Sequence, residues 1–314
     1  MSFAMVFPGQ GSQSLGMQAA LASKYPEVVA TYSEASEVLG YDLWLLTQTG
    51  PQEELDKTVI TQPAMLAAGV ATWRCWQAAG GAAPDVVAGH SLGEYSALVA
   101  AGAVDFADAL RVVNKRANLM QEAVPAGMGG MAAILGLEDQ AVIDACAKAE
   151  QGQVVRAVNF NSPGQVVIAG HKEAVERAID IAKQAGAKRA LLLRVSVPSH
   201  SPLLEAAANA LADDLAKTAF GALAIPALNS VNVAPFADAQ NIRESLRLQV
   251  FNPVRWTDTV RRLANEGVTL AIECGPGKVL AGLVKRIDRG ITCVAIDDPD
   301  SLQKALDACR ELTA

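Results

Sequence analysis

Gly89–His90–Ser91–Leu92–Gly93 follows the short apolar run Val86–Val87–Ala88 and precedes a segment, residues 94–101, patterned for a helix. A serine in a G-x-S-x-G turn between a strand and a helix is the arrangement of a nucleophile elbow. The sharp turn lifts the hydroxyl out of the sheet. Gly89 and Gly93 flank the turn where a side chain would crowd the backbone. The Leu92 amide and the helix N-terminus then face an oxyanion forming at Ser91. The motif by itself is short and recurs by chance. Its strand and helix flanks are what make Ser91 the candidate nucleophile.

An activated serine needs a base, and the chain has three histidines. His90 adjoins Ser91 in the turn, where its ring lines the site and does not deprotonate its neighbour. His171 falls between a strand and a helix, in a structural or solvent-facing position. His200 lies just past a strand-like segment, residues 191–197, in Pro198–Ser199–His200–Ser201–Pro202. Functional loops gather at that end of an open α/β sheet, and two prolines stiffen this one. Placement and elimination make His200 the base.

Arg116 is the next informative residue. On a helix opening at Asp105, Arg111, Lys115, Asn118 and Glu122 share one face, and Ala109, Val113, Arg116, Met120 and Ala123 share the other. A guanidinium in an apolar stripe needs a partner. A structural ion pair, or a packed stem with a solvated head, fits the pattern as well as a fork for a substrate carboxylate. Two apparent nucleotide motifs fail. Ser14 occupies the third glycine position after Gly9 and Gly11, and Val279 stands where a phosphate loop needs Ser or Thr. The loop at residues 8–13 is instead suited to bringing backbone amides against a reacting carbonyl.

These residues need a scaffold. Apolar strands alternate with helices up to Pro125, including one expected to open at Thr61–Gln62–Pro63 with Thr61 as cap, so a parallel sheet covered on both faces is expected. Between residues 126 and 195 the order becomes β-α-β-β-α-β, with a hairpin turn at Asn161–Ser162–Pro163–Gly164. That is the ferredoxin-like unit. The chain is therefore expected to be α/β, with a large α/β-hydrolase-like domain (residues 1–125 and 196–314) and a small inserted ferredoxin-like domain (residues 126–195). The insert carries eight basic and seven acidic side chains, a net +1, so the rest of the chain carries −8 of the overall −7.

At 314 residues, 51% hydrophobic and 19% charged, this is an ordinary globular enzyme composition. The acidic balance argues against a nucleic-acid partner. The five cysteines show no C-x-x-C spacing, which points to a reducing cytoplasm and away from a metal site. The first residues read as a strand and not as a signal peptide, and no apolar run reaches membrane-spanning length. No cofactor is implied, and the chain is expected to act as a monomer. A serine esterase or thioesterase would share the elbow; a non-catalytic docking module would share the fold.

Five motifs in order make the reading specific. Phe7–Pro8–Gly9–Gln10–Gly11–Ser12–Gln13, Gly89–His90–Ser91–Leu92–Gly93–Glu94–Tyr95, Asn159–Phe160–Asn161–Ser162–Pro163–Gly164–Gln165, Val197–Pro198–Ser199–His200 and Glu273–Cys274–Gly275–Pro276–Gly277 span nearly the whole chain. In these the chain resembles the malonyl-CoA:acyl carrier protein transacylases of bacterial fatty-acid synthesis. The resemblance implies transfer of a malonyl group from malonyl-CoA to acyl carrier protein. Ser91 would be nucleophile, His200 base, Gln10 and Leu92 oxyanion donors, and Arg116 the malonyl clamp. Gln249 would orient His200 through its side-chain carbonyl, and His90 and Asn161 would fall in the substrate-binding region. Carrier proteins of this pathway are acidic, so Lys188, Arg189, Arg194, Lys285 and Arg286 are candidate docking residues. The chain departs from many malonyl-selective relatives in having Ser199, not Phe, before the histidine.

Overall fold

The computed structural model describes residues 2–125, 127–193, 195 and 197–313. Its strands are β1 (Ser2–Phe7), β2 (Val86–Gly89), β3 (Gly129–Leu135), β4 (Val155–Ser162), β5 (Gln165–His171), β6 (Arg189–Leu192), β7 (Ala227–Leu228), β8 (Val268–Cys274) and β9 (Thr292–Ile296). They form two sheets. One runs β7-β2-β1-β8-β9 with every neighbour parallel. The other runs β4-β5-β3-β6 with every neighbour antiparallel.

Parallel neighbours need long crossovers, and helices supply them, covering both faces of the sheet. Strand β1 shows the result. Met5 and Phe7 join a core with Leu66 and Trp76, while Ala4 and Val6 join a second core with Trp256 and Val260. The antiparallel sheet follows the expected β-α-β-β-α-β order. Helices Asp139–Ala149 and Lys172–Gln184 cover one face, packing on Ile134, Val166 and Ile168. Met131, Val158, Val167 and Ala169 lie on the other. No helix among the described residues is long and apolar enough to cross a membrane.

Several local expectations shift. The helix expected to open at Thr61 runs Thr58–Ala78, with Pro63 inside it. The Thr61 hydroxyl donates to the Leu55 carbonyl instead of capping, and sixteen residues of this helix are buried. A helix buried all round has no amphipathic edge to mark its start. After the 8–13 loop the only α-helix before residue 26 among the described residues is the short Ala19–Ala22, preceded by Gly16 and Gln18 at positive φ. Asp105 precedes the helix Phe106–Ala123 but makes no side-chain cap bond. The strand expected over residues 191–197 is β6, which stops at Leu192; Arg194 and Ser196 lie outside the described residues. His171 ends β5, where its Nδ1 accepts from the Val154 amide at 2.9 Å.

Candidate active site

The turn after β2 is as tight as its glycines suggest. The His90 amide donates to the Phe7 carbonyl at 3.0 Å, and the helix Gly93–Ala100 begins at once. A Cβ on Gly93 would overlap the Phe7 carbonyl, and one on Gly89 would overlap the Glu94 amide. Between them Ser91 sits at φ 53°, a conformation that costs an L-residue energy and is held here by packing. His200 is likewise at φ 65°. Ser91 Oγ and His200 Nε2 are 2.7 Å apart across 109 residues of chain.

His200 is 3% exposed, and its amide donates to the Val250 carbonyl. Its Nδ1 donates at 2.7 Å to the backbone oxygen of Gln249. This corrects the expectation that the Gln249 side chain is the acceptor. Gln249 ends the helix Ala239–Gln249, and the last carbonyls of a helix have no partner within it. The side chain is used elsewhere: Nε2 donates to the Ser91 carbonyl at 2.9 Å, and Oε1 accepts from Arg116. A carbonyl can only accept, so His200 carries its proton on Nδ1 and presents the Nε2 lone pair to Ser91. Burial, and then the positive charge of Arg116, push the imidazole down to about 3, so it is neutral at physiological pH.

Arg116 is 1% exposed. Nη1 donates to Gln62 Oε1 at 2.6 Å and Nη2 to Gln249 Oε1 at 3.0 Å; Nε has no partner among the described residues. Its Cζ lies 5.8 Å from the Tyr95 ring centroid. Of the readings left open by the sequence, a structural ion pair is not what is found: two neutral amides hold the guanidinium, and no carboxylate among the described residues bonds to it. Gln62 was read only as part of a helix start. The signal that could have found it is a polar side chain inside an apolar run, and Glu94 carries the same signal.

These groups meet at one cavity of about 420 Å³ between the two sheets. Ser91, His200, Arg116 and Gln62 line it, as do Gln10 and Leu92. Met131, Val167, Leu193 and Val195 form an apolar wall, and Ser199 lies beside His200. His90 Nε2 and Asn161 Oδ1, both in the lining, bond to each other at 2.8 Å and so join the large sheet to the small one. The His90 ring also meets Trp256 edge-on at 5.6 Å. A Cβ on Gly9 would stand 2.5 Å from the His90 carbonyl, so glycine is what lets the 8–13 loop close over the turn. Of the basic residues picked out for docking, Arg286, on the helix Val279–Ile287, donates at 2.7 Å to Gln165 at the start of β5.

A serine hydroxyl on a neutral histidine, opposite a buried cation to which no carboxylate is bonded, suits transfer of an acyl group that itself bears an acid. The acyl transferase domain family matches residues 4–292. The malonyl CoA-acyl carrier protein transacylase of Salmonella typhimurium is 59% identical over 304 residues, covering 97% of this chain and 98% of the relative. That of Bacillus subtilis is 43% identical, with 98% and 97% covered. A malonyl-transacylase solved in complex with its type II PKS acyl-carrier protein superposes with a TM-score of 0.97 at 57% identity, over 98% of this chain and 100% of that one. An acyl carrier protein S-malonyltransferase from Vibrio cholerae gives 0.94 at 57%, over 97% and 99%. The chain belongs to the acyl transferase family and, within it, to the malonyl CoA-acyl carrier protein transacylases.

Proposed function

We propose that this enzyme carries the malonyl group from malonyl-CoA to the phosphopantetheine thiol of acyl carrier protein, supplying the extender unit for fatty-acid synthesis, through a malonyl ester on Ser91. The observation that carries the reading is the 2.7 Å contact between Ser91 and His200 in the cavity that Arg116 also lines. Ser91 Oγ attacks the thioester carbon as its proton passes to His200 Nε2. The Leu92 and Gln10 amides receive the developing oxyanion. The C–S bond breaks, and the coenzyme A sulfur leaves with the proton from His200. The carrier thiol then gives its proton to His200 and attacks the acyl-serine, and Ser91 Oγ recovers that proton as it leaves. Arg116 holds the malonyl carboxylate throughout, with the Gln62 and Gln249 amides fixing the fork.

The same reading divides the chain into residues 1–125 with 196–314, which carry the reacting groups, and an inserted unit, residues 126–195, which walls the cavity. It places the enzyme in the cytoplasm, in keeping with its free cysteines. Intact mass after brief exposure to malonyl-CoA tests the chemistry. One malonyl adduct is expected on wild type and none on Ser91→Ala. An adduct that survives in Ser91→Ala, or release of free malonate in place of malonyl carrier protein, would overturn the proposal.

A further inference from the structure

Two ionisable side chains of opposite sign, Arg116 in the lining of this cavity and Glu94 nearby, are buried without forming an ion pair. Glu94 is 0% exposed, on the helix that follows Ser91. Its Oε2 accepts from the Ser230 amide at 3.0 Å and from the Ser230 hydroxyl at 2.7 Å; its Oε1 has no partner among the described residues. Arg116 is forked onto two neutral amides, with Nε unpartnered. Buried opposite charges ordinarily close into a hydrogen-bonded pair, because each is costly alone. Here Ser230 moors the carboxylate, and the charges act on each other through space.

We infer that Glu94, moored by Ser230, sets the enzyme's selectivity for acid-bearing acyl groups: its carboxylate shares the field of Arg116 with the acyl acid and limits how tightly that acid is held. The inference rests on the malonyl-transfer reading above. With no acyl group bound, Glu94 offsets Arg116. With a carboxylate on Arg116, two negative charges share one positive, so each weakens the other's hold. Linkage makes this reciprocal: ionised Glu94 lowers affinity for the acid, and the bound acid raises the proton affinity of Glu94.

The groups around the pair leave the effect legible. Burial lifts the Glu94 carboxyl to about 7, against Ser230, the Gln249 side chain and the charge of Arg116, which pull it down. Tyr95, on the same helix, is pushed up to about 12, mainly by burial, and stays neutral. His200, next to the helix that carries Gln249, is held at about 3, and burial lowers His90 as well. Among these groups Glu94 alone changes charge near neutrality. Glutamine at position 94 keeps an oxygen for Ser230 and removes the charge.

The experiment compares wild type with Glu94→Gln, measuring KM and kcat for malonyl-CoA and for acetyl-CoA at about pH 6 and about pH 8, either side of the Glu94 titration. A contact that is equal in ground and transition states appears in KM and leaves kcat alone. In wild type, KM for malonyl-CoA should rise at least about fivefold between the two pH values, the low end of a coupling between sites. In Glu94→Gln it should stay at the low value, with KM for acetyl-CoA matching wild type. A malonyl KM that is unchanged or raised in Glu94→Gln, or both substrates shifting together, would overturn the inference. Should Glu94→Gln fail to fold, Ser230→Ala frees the carboxylate to approach Arg116 and should raise KM for malonyl-CoA alone; an unchanged malonyl-to-acetyl ratio there overturns it too. A wild type that takes no malonyl from malonyl-CoA sinks the transferase reading and this inference with it. Normal acylation with a flat ratio sinks only this one.

Discussion

The backbone oxygen of Gln249 accepts from His200 Nδ1 at 2.7 Å, while the Gln249 side chain reaches the other way, to Arg116 and to the Ser91 carbonyl. One residue thus ties base, cation and nucleophile turn through bonds that mutation can separate. No side-chain substitution removes the acceptor that fixes the histidine tautomer. Relatives of the triad that use a carboxylate in this place lack that separation.

Gln249→Ala should therefore spare the base and loosen the cation. Losing one hydrogen bond to a charged group costs about 1.5–3 kcal/mol, so malonyl transfer should fall roughly tenfold to a hundredfold relative to acetyl transfer. Steady-state kinetics with both thioesters read this directly. Equal loss on both substrates would mean that the side chain chiefly supports His200 or the turn.

The low proton affinity of His200 gives a pH signature. Because burial and Arg116 hold it at about 3, the imidazole is the unprotonated base throughout the weakly acidic range. With acetyl-CoA as donor, so that acid binding does not enter, the acylation rate should stay level as pH falls from about 7.5 to about 5. An ordinary histidine would lose activity around pH 6.5. A rate that drops through that value would show a solvated base.

Arg116→Ala should lower malonyl transfer by roughly tenfold to a hundredfold or more and leave acetyl transfer nearly as it was. Arg116→Lys should recover only part, because an ammonium cannot make both the Gln62 and the Gln249 bonds and still offer a planar edge to a carboxylate. The ratio of the two transfers, measured alongside thermal unfolding, separates acid recognition from a folding role. Both rates falling together would assign Arg116 to the scaffold.

Glu273 predicts an effect on stability, not on the reacting groups. It is 0% exposed at the end of β8 and accepts from the Leu280 and Ala281 amides at the start of the helix Val279–Ile287. Burial raises its carboxyl to about 7 in spite of those amides. The folded state thus holds this proton more tightly than the unfolded chain. The stability it contributes is full below the unfolded carboxylate range and is lost as pH rises through about 7, by roughly 3 kcal/mol at most. Urea unfolding at about pH 5 and about pH 8 should show a smaller fall in Glu273→Gln than in wild type. Parallel falls would mean that Glu273 ionises as easily folded as unfolded.

What could be read from the sequence was whatever short-range pattern encodes. The turn around Ser91 is legible because strand, glycines and helix lie within a dozen residues. The β-α-β-β-α-β unit is legible from alternation and turn chemistry, and Arg116 stands out because it breaks an apolar stripe. Helix starts blurred where burial is all-round, as at Thr58, and Gln249 meets His200 with its backbone carbonyl where the side chain was expected. Gln62 and Glu94 stand out locally as polar side chains in apolar runs, but nothing local marks what they or Ser230 meet. Their partners lie 54, 133 and 136 residues away for the Gln62–Arg116, Arg116–Gln249 and Glu94–Ser230 bonds. Which carbonyl meets His200, and which carboxylate stays off Arg116, depends on how helix ends pack around one cavity. Periodicity records which face of a helix is buried; only the packed chain decides what that face meets.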